Sequence, residues 1–118
     1  MKRIAVEVLS STEALRRMAR AWSTAKKGGK AEPTIGVSSI GELSALLSPR
    51  RMELLRFVAE NGGLSVRALA KAIGRDYKNV HSDVAALEAR HLLGRDEEGG
   101  IISPYDEIVI RAPLRDAA

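Results

Sequence analysis

The chain of 118 residues has no cysteine, only four aromatic residues, and no run of apolar residues longer than a few positions. Without cysteine there is no disulfide, no thiolate metal site and no thiol nucleophile. The apolar runs fall far short of the roughly 20 residues that a membrane-spanning helix needs. Glu7 places a charge inside what would be the apolar region of a signal peptide. We therefore expect a cytoplasmic protein that does not enter a membrane.

Positive charge is concentrated in the N-terminal part of the chain. Residues 1–34 carry eight basic and three acidic side chains, residues 35–91 eight and six, and residues 92–118 three and six. A basic surface suits a polyanionic partner such as nucleic acid, although an ordinary solvated surface is the alternative. The scarcity of aromatic residues argues against single-stranded nucleic acid, whose bases stack on aromatic rings.

Residues 1–34 predict a strand followed by a helix, with a glycine-containing linker after it. The alternation of apolar residues over 3–9 is typical of a strand, and Ser10 and Glu13 form a capping box that opens a helix over about 12–27. A second short strand over 34–37 can pair with the first. Because the first strand has an open edge and the helix a large apolar stripe, we expect this extension to form a homodimer interface, unless it packs on its own core. The stripe residues assigned to the interface are Leu15, Met18 and Trp22.

From Ser39 onward, helix start and stop signals follow one another closely. Ser39 opens a short helix, and Ser48, Ser65 and Asp76 are capping residues of three longer ones. Gly74 lies in the turn between the last two helices, where a positive φ is often needed. The predicted helices span residues 49–61, 65–73 and 77–91.

The order of these elements predicts a winged helix-turn-helix, which is a mainly helical α+β fold. Residues 92–103 form its hairpin, tipped by Gly99 and Gly100, and residues 107–111 extend that hairpin. The predicted domains are an N-terminal strand-helix extension over 1–34, the winged helix-turn-helix over 35–112, and a frayed tail over 113–118.

Two segments, RDYKNVHSDV at Arg75–Val84 and PYDEI at Pro104–Ile108, resemble a prokaryotic family of MarR-like winged helix-turn-helix regulators. The resemblance covers about residues 35–112 and extends more weakly to the N-terminal segment. It implies binding to double-stranded DNA and regulation of transcription. Some members of that family are similar to antitoxins, which implies a small toxin protein as a possible partner.

The helix predicted over 77–91 has a polar face opposite Val80, Val84 and Leu87. A recognition helix places its first turns in the major groove, where amine, amide and hydroxyl groups hydrogen-bond to base edges, whereas phosphate contacts fix the register. The alternative is a plain surface helix. We predict base contacts from Lys78, Asn79 and Ser82, and phosphate contacts from Ser65, Arg67, Lys71, Arg75 and Tyr77.

The sequence contains no grouping of residues that indicates an enzyme, a metal site or a cofactor. His81 and His91 lack a paired ligand spacing, and no nucleophile and base stand together. The leading hypothesis is a homodimeric, sequence-specific regulator that represses its own promoter. Because Asp96, Glu97 and Glu98 at the hairpin tip repel phosphate, a protein-interaction module that binds a small protein remains the second hypothesis. A non-specific DNA-coating protein is the third.

Overall fold

The computed structural model describes residues 1–10 and 33–114, together with residues 12, 13, 15, 16, 19 and 20. The described residues between 12 and 20 are helical, and the hydroxyl of Ser10 accepts a hydrogen bond from the backbone N–H of Glu13 at 3.1 Å. This agrees with the predicted helix start, whereas the rest of that predicted helix, to residue 27, lies outside the described residues. The other elements are β1 (Arg3–Val8), β2 (Thr34–Val37), α1 (Ile40–Leu46), α2 (Pro49–Glu60), α3 (Val66–Ile73), α4 (Tyr77–Ala89), β3 (Gly94–Arg95), β4 (Ile101–Ile102) and β5 (Glu107–Arg111).

The chain divides into two compact units. The helical unit comprises Met1–Lys2 and Leu46–Asp106, and the sheet unit comprises Arg3–Ala45 and Glu107–Ala118. The architecture is α+β, as predicted. Within the described ranges, no helix combines the length and the apolar composition that a membrane span requires.

The sheet unit contains a parallel sheet with the order β2-β1-β5. β1 pairs with β2 in the register Val6↔Ile35 and with β5 in the register Val6↔Ile110. The predicted pairing of the two N-terminal strands is therefore confirmed. The expectation of an open edge on β1 is wrong, because both of its edges are paired. The assignment of residues 107–111 to the hairpin is also wrong, since β5 lies beside β1.

These pairings also move the predicted domain boundaries. The proposed division at residues 34 and 35 falls inside β2 and separates β1 from β5, although all three strands share one sheet. A strand pattern with a period of two shows that a segment is extended, but it does not identify the strand to which that segment pairs. The sheet unit therefore takes β2, most of α1 and β5 away from the predicted 35–112 domain.

The helices of the helical unit begin and end where the sequence predicts, to within two residues. Side chains of Ser48, Ser65 and Asp76 accept hydrogen bonds from the backbone N–H three residues later, at 3.1–3.3 Å. Gly74 ends α3 with a φ of 69°, a left-handed conformation that glycine adopts without strain. The helices bury a shared apolar core: Leu54, Leu55, Val58, Val66, Leu69, Ala70, Val80, Val84 and Leu87.

The hairpin of β3 and β4 is fastened to the loop between α2 and α3. The N–H of Gly63 donates to the carbonyl of Ile101 at 2.8 Å, and the N–H of Ile101 donates to the carbonyl of Leu64 at 2.8 Å. Gly100 lies directly against the backbone of Gly63, so a Cβ at position 100 would overlap that backbone. The close approach therefore depends on glycine at position 100.

Candidate nucleic-acid interface

The solvent-facing side of α4 carries the three residues predicted to contact base edges. Lys78, Asn79 and Ser82 are all exposed, whereas Val80 and Val84 are buried. Residues three and four positions apart on a helix are surface neighbours, so Lys78 and Asn79 both adjoin Ser82. An amine, a carboxamide and a hydroxyl thus stand together on the first two turns of α4.

The same face of α4 presents no exposed carboxylate over residues 77–87. Asp83 is the one acidic residue in that stretch of the sequence, and it is 2% exposed. Ala85 and Ala89 are exposed on the following turns. Small side chains allow close approach to a partner, and the lack of exposed negative charge over residues 77–87 suits an anionic one.

Three of the residues predicted to contact phosphate lie exposed on α3 or at its start. Arg67 and Lys71 are four positions apart and therefore share one face of the helix. The hydroxyl of Ser65 accepts a hydrogen bond from the N–H of Ala68 at 3.1 Å, so it caps α3. The face of α3 formed by Arg67 and Lys71 carries two cations.

Tyr77 connects this cationic face to the first turn of α4. The guanidinium carbon of Arg67 lies 4.6 Å from the centroid of the Tyr77 ring, a cation–π contact. The ring of His81 lies 5.8 Å from that of Tyr77, at an angle of 45°. Tyr77 is 39% exposed. Its predicted phosphate contact stays a prediction.

Arg75, the fifth predicted phosphate ligand, is engaged within the protein. Its guanidinium donates to the carboxylate of Glu53 at 2.7 Å and to the carbonyl of Arg50 at 3.0 Å. These bonds fasten the turn between α3 and α4 to α2, and the side chain is only 20% exposed. A phosphate contact from Arg75 would compete with Glu53 for the guanidinium.

An ion cluster between α4 and the start of α2 is the main feature that the sequence analysis missed. Asp83 accepts hydrogen bonds from Nε of Arg50 at 2.8 Å, from Nη2 of Arg50 at 3.3 Å, and from Nε of Arg51 at 3.1 Å. The available signal was the position of Asp83 between Val80, Val84 and Leu87 on the buried stripe of the helix. A carboxylate in such a stripe requires a cationic partner.

The two arginines also determine the ionisation of Asp83. Burial alone would raise the pKa of this carboxyl, because it disfavours the charged form. The hydrogen bonds and the positive charges of Arg50 and Arg51 outweigh burial, so the pKa of Asp83 lies below its ordinary value. Asp83 is therefore a carboxylate at neutral pH, and it neutralises charge next to α4.

The hairpin tip is acidic, and the cation beside it is paired. The guanidinium of Arg95 donates to both carboxylate oxygens of Glu88, at 3.2 and 2.9 Å, and these bonds raise the pKa of Arg95. Asp96 accepts backbone N–H bonds from Glu98 and Gly100 at 2.9 and 2.7 Å, which fixes the turn. Glu97 and Glu98 are exposed. The tip therefore presents negative charge to solvent.

The residues assigned to a dimer interface are only partly described. Leu15 is exposed on the helical segment. Met18 and Trp22 lie outside the described residues, so their assignment stays a prediction. In the part of the chain that the structure covers, no group of three or more His, Cys, Asp or Glu side chains is placed to hold a metal ion.

Comparison with known proteins gives one family match. The family model described as HVO_A0114 matches residues 46–110, which is more than half of the chain. The match spans α2, α3, α4 and the hairpin, and it extends into β5. No curated protein and no solved structure matches the chain.

Proposed function

The chain belongs to the HVO_A0114 family, and we propose that it is a non-enzymatic, cytoplasmic regulator that binds double-stranded DNA sequence-specifically as a homodimer. In this proposal the helical unit is a winged helix-turn-helix, with α4 as the recognition helix and the β3–β4 hairpin as the wing. The observation that carries the proposal is the outer face of α4. There Lys78, Asn79 and Ser82 stand together, and Asp83, the one acidic residue of the stretch 77–87, is buried. The exposed carboxylate of Asp76 lies at the N-terminus of the helix, where it accepts a hydrogen bond from the N–H of Asn79.

Each of these side chains has a chemical counterpart in the major groove. The carboxamide of Asn79 matches the donor and acceptor pair on the edge of adenine. The amine of Lys78 can donate to the N7 and O6 acceptors of guanine, and the hydroxyl of Ser82 can donate or accept. Ala85 and Ala89 allow the following turns to lie deep in the groove.

Phosphate contacts then hold α4 in register on the duplex. Arg67 and Lys71 are exposed on α3, which packs against α4 and buries Leu69 and Ala70. The proposed set of phosphate contacts also includes Ser65, Tyr77 and Arg75. To reach a phosphate, the guanidinium of Arg75 exchanges its contact with Glu53 for one with the DNA. Contacts of this type position a protein on DNA without identifying the sequence.

A homodimer presents two recognition helices, and the matching operator is a near-palindrome. Half-sites one helical turn apart, about 34 Å, place both helices in successive major grooves. Bound across a promoter, and in our proposal its own promoter, such a dimer blocks transcription. The resemblance of Arg75–Val84 and Pro104–Ile108 to MarR-like regulators supports this assignment.

A selection experiment with the full chain tests DNA binding directly. Duplexes enriched from a randomised library should bind far more tightly than their scrambled counterparts in fluorescence anisotropy, and the affinity should fall steeply with salt. Equal affinity for enriched and scrambled duplexes would favour a non-specific DNA-coating protein. No binding to any duplex at low salt would refute the proposal.

A protein-interaction module is the second candidate, and the acidic hairpin tip favours it. Glu97 and Glu98 are exposed, and Arg95 beside them is held by Glu88. Such a tip suits a basic protein, and in the antitoxin version of this hypothesis the partner is a small toxin encoded next to this chain. Co-expression with that neighbour should give a complex that Glu97→Gln and Glu98→Gln together weaken. A complex with unchanged affinity would exclude the tip as the contact.

A further inference from the structure

The outer edge of β5, in the sheet unit, has no role in the proposed contact with DNA. β5 is the last strand in the order β2-β1-β5, and no strand in the described ranges lies along its other side. Such an edge presents unpaired backbone N–H and C=O groups, which can add a strand from another chain. The edge therefore offers a site for a strand partner.

The side chains of β5 do not prevent a strand of another chain from pairing with this edge. Ile110 is 53% exposed, although its neighbour across the strand pair, Val6, is fully buried. Ile108 lies on the same face and is half-buried. Native edge strands usually carry charged residues or proline at such positions, and here the charges lie only at the two ends of the strand. The apolar centre of β5 therefore indicates an edge that is covered in solution.

The sequence of β5, EIVIR, is complementary to itself when two copies run antiparallel. In a register centred on Val109, Glu107 of one copy lies opposite Arg111 of the other, and each Ile108 lies opposite an Ile110. Directly opposite residues of antiparallel strands share one face of the sheet. The register thus gives two ion pairs on one face and two isoleucine pairs on the other.

We propose that β5 pairs with β5 of a second copy in this antiparallel register, which joins the two three-stranded sheets into one. The inference deepens the homodimer of the proposed function, and rests on it in that respect, but the contact itself requires no DNA. It differs from the interface predicted from Leu15, Met18 and Trp22, and it does not use β1, both of whose edges are paired.

The contacts that Arg111 and Glu107 already make within one chain are compatible with this pairing. Arg111 donates to the buried carboxylate of Glu7 at 2.9 Å, and its side chain remains 44% exposed. A guanidinium has five N–H donors, so Arg111 can serve Glu7 and a second carboxylate together. Glu107 and Arg3 form a loose, exposed pair at 4.0 Å, which Glu107 can exchange for the closer contact.

Analytical ultracentrifugation of the full chain without DNA provides the first test. Wild type should sediment as a dimer, and Ile110→Asp should raise the dimer dissociation constant by about tenfold or more, because a buried charge opposes the pairing. Ile40→Asp is the matched control, since Ile40 is an isoleucine of similar exposure at the start of α1. It should leave the dimer unchanged.

Disulfide trapping provides the second test, and the cysteine-free chain makes it simple. Val109→Cys places two thiols directly opposite each other at the two-fold axis, where Cα atoms are about 4.5–5.5 Å apart and within disulfide range. Mild oxidation should therefore give a covalent dimer. Leu114→Cys is the control. Leu114 is exposed, and in an extended register the two copies lie roughly 30 Å apart.

The two tests together decide the proposal. A monomeric wild type, a dimer insensitive to Ile110→Asp, or a Val109→Cys variant that crosslinks no better than Leu114→Cys would each overturn it. Should circular dichroism show that Ile110→Asp is unfolded, the crosslinking result decides alone. A β5-linked dimer that binds no duplex would support this interface and refute the DNA-binding function, so the two failures are distinguishable.

Discussion

Asp83→Asn removes the charge that connects α4 to the start of α2. In the wild type, the carboxylate accepts two hydrogen bonds from Arg50 and one from Arg51, at 2.8–3.3 Å. Asparagine has nearly the same shape, but it keeps one acceptor oxygen and turns an N–H group toward the guanidinium donors. The substitution therefore isolates the electrostatic part of the contact.

The expected loss of stability follows from the exposure of the three side chains. Hydrogen bonds to charged groups contribute about 1.5–3 kcal/mol each. Arg50 and Arg51 keep 53% and 21% of their side-chain exposure, so water compensates part of the loss, while Asp83 is 2% exposed. We expect the free energy of unfolding to fall by about 2–4 kcal/mol, out of a total of about 5–15 kcal/mol for a domain.

Urea unfolding followed by circular dichroism measures this loss. Glu60→Gln is the matched control, because Glu60 is an exposed carboxylate at the end of α2 and its loss should change stability by less than about 0.5 kcal/mol. Arg51→Ala should cost much less in the Asp83→Asn background than in the wild type, because the two residues act as a pair. If Asp83→Asn behaved like the control, the cluster would not stabilise the helical unit.

The difference in unfolding free energy between wild type and Asp83→Asn should also depend on pH. Since the pKa of Asp83 is lower in the folded state than its ordinary value, the carboxylate stabilises the fold above the unfolded pKa of about 3.9. That contribution disappears as the pH falls through the lowered, folded pKa. The stability gap between wild type and Asp83→Asn should therefore be full at neutral pH and shrink in acid. A gap that grew in acid would contradict the assigned direction.

Four other variants test the interface and the hairpin. Asn79→Ala should reduce the preference for an enriched duplex over a scrambled one, whereas Lys71→Ala should weaken binding to both and reduce the slope of log affinity against log salt by about one. Replacing Glu97 and Glu98 together with glutamine should leave DNA affinity unchanged or raise it, because carboxylates repel phosphates across a screening length of about 8 Å. Gly100→Ala should destabilise the helical unit by about 1–3 kcal/mol or more in urea unfolding, because the new Cβ would overlap the backbone of Gly63.

Each of these predictions has either a control variant or a result that would contradict it. Arg56→Ala removes an exposed cation from α2 and should lower the salt slope less than Lys71→Ala does. Equal losses on both duplexes for Asn79→Ala would exclude base contact by that residue. A clear loss of DNA affinity in the folded glutamine variant would show that the hairpin tip contacts DNA. Gly62→Ala meets only ordinary contacts, the nearest at 3.5 Å, so it should cost less than Gly100→Ala.

The helices of this chain are predictable because their signals are local. A serine or aspartate that caps a helix binds a backbone N–H only three residues away, as Ser48, Ser65 and Asp76 do. Gly74 likewise acts through its own φ. The exposed face of α4 follows from helix periodicity. Val80 and Val84 identify the buried side, and Lys78 and Ser82 lie away from it.

The sheet is not predictable in this way, because its contacts join distant parts of the chain. β1 and β5 are separated by about a hundred residues, as the bond between Glu7 and Arg111 at a separation of 104 positions shows. The period of two in β5 is equally compatible with a hairpin extension and with a third parallel strand. The pairing has a practical consequence: removal of residues 1–37 would strip β5 of β1 and would disrupt the sheet unit as well as any dimer.

Within residues 35–91, the structure distinguishes charges that are paired inside the protein from charges that face solvent. Residues 35–91 carry eight basic and six acidic side chains, a modest excess that alone says little about DNA. Asp83 holds Arg50 and Arg51, and Glu53 holds Arg75. Intramolecular pairing therefore offsets Arg75 at the turn before α4, and it offsets one of the two positive charges that Arg50 and Arg51 bring to the start of α2. Arg67 and Lys71 on α3 and Lys78 on the first turn of α4 are exposed, and the guanidinium of Arg67 lies against the ring of Tyr77 on that turn. The position of the unneutralised charge, more than its amount, is what favours a DNA groove as the partner of α4.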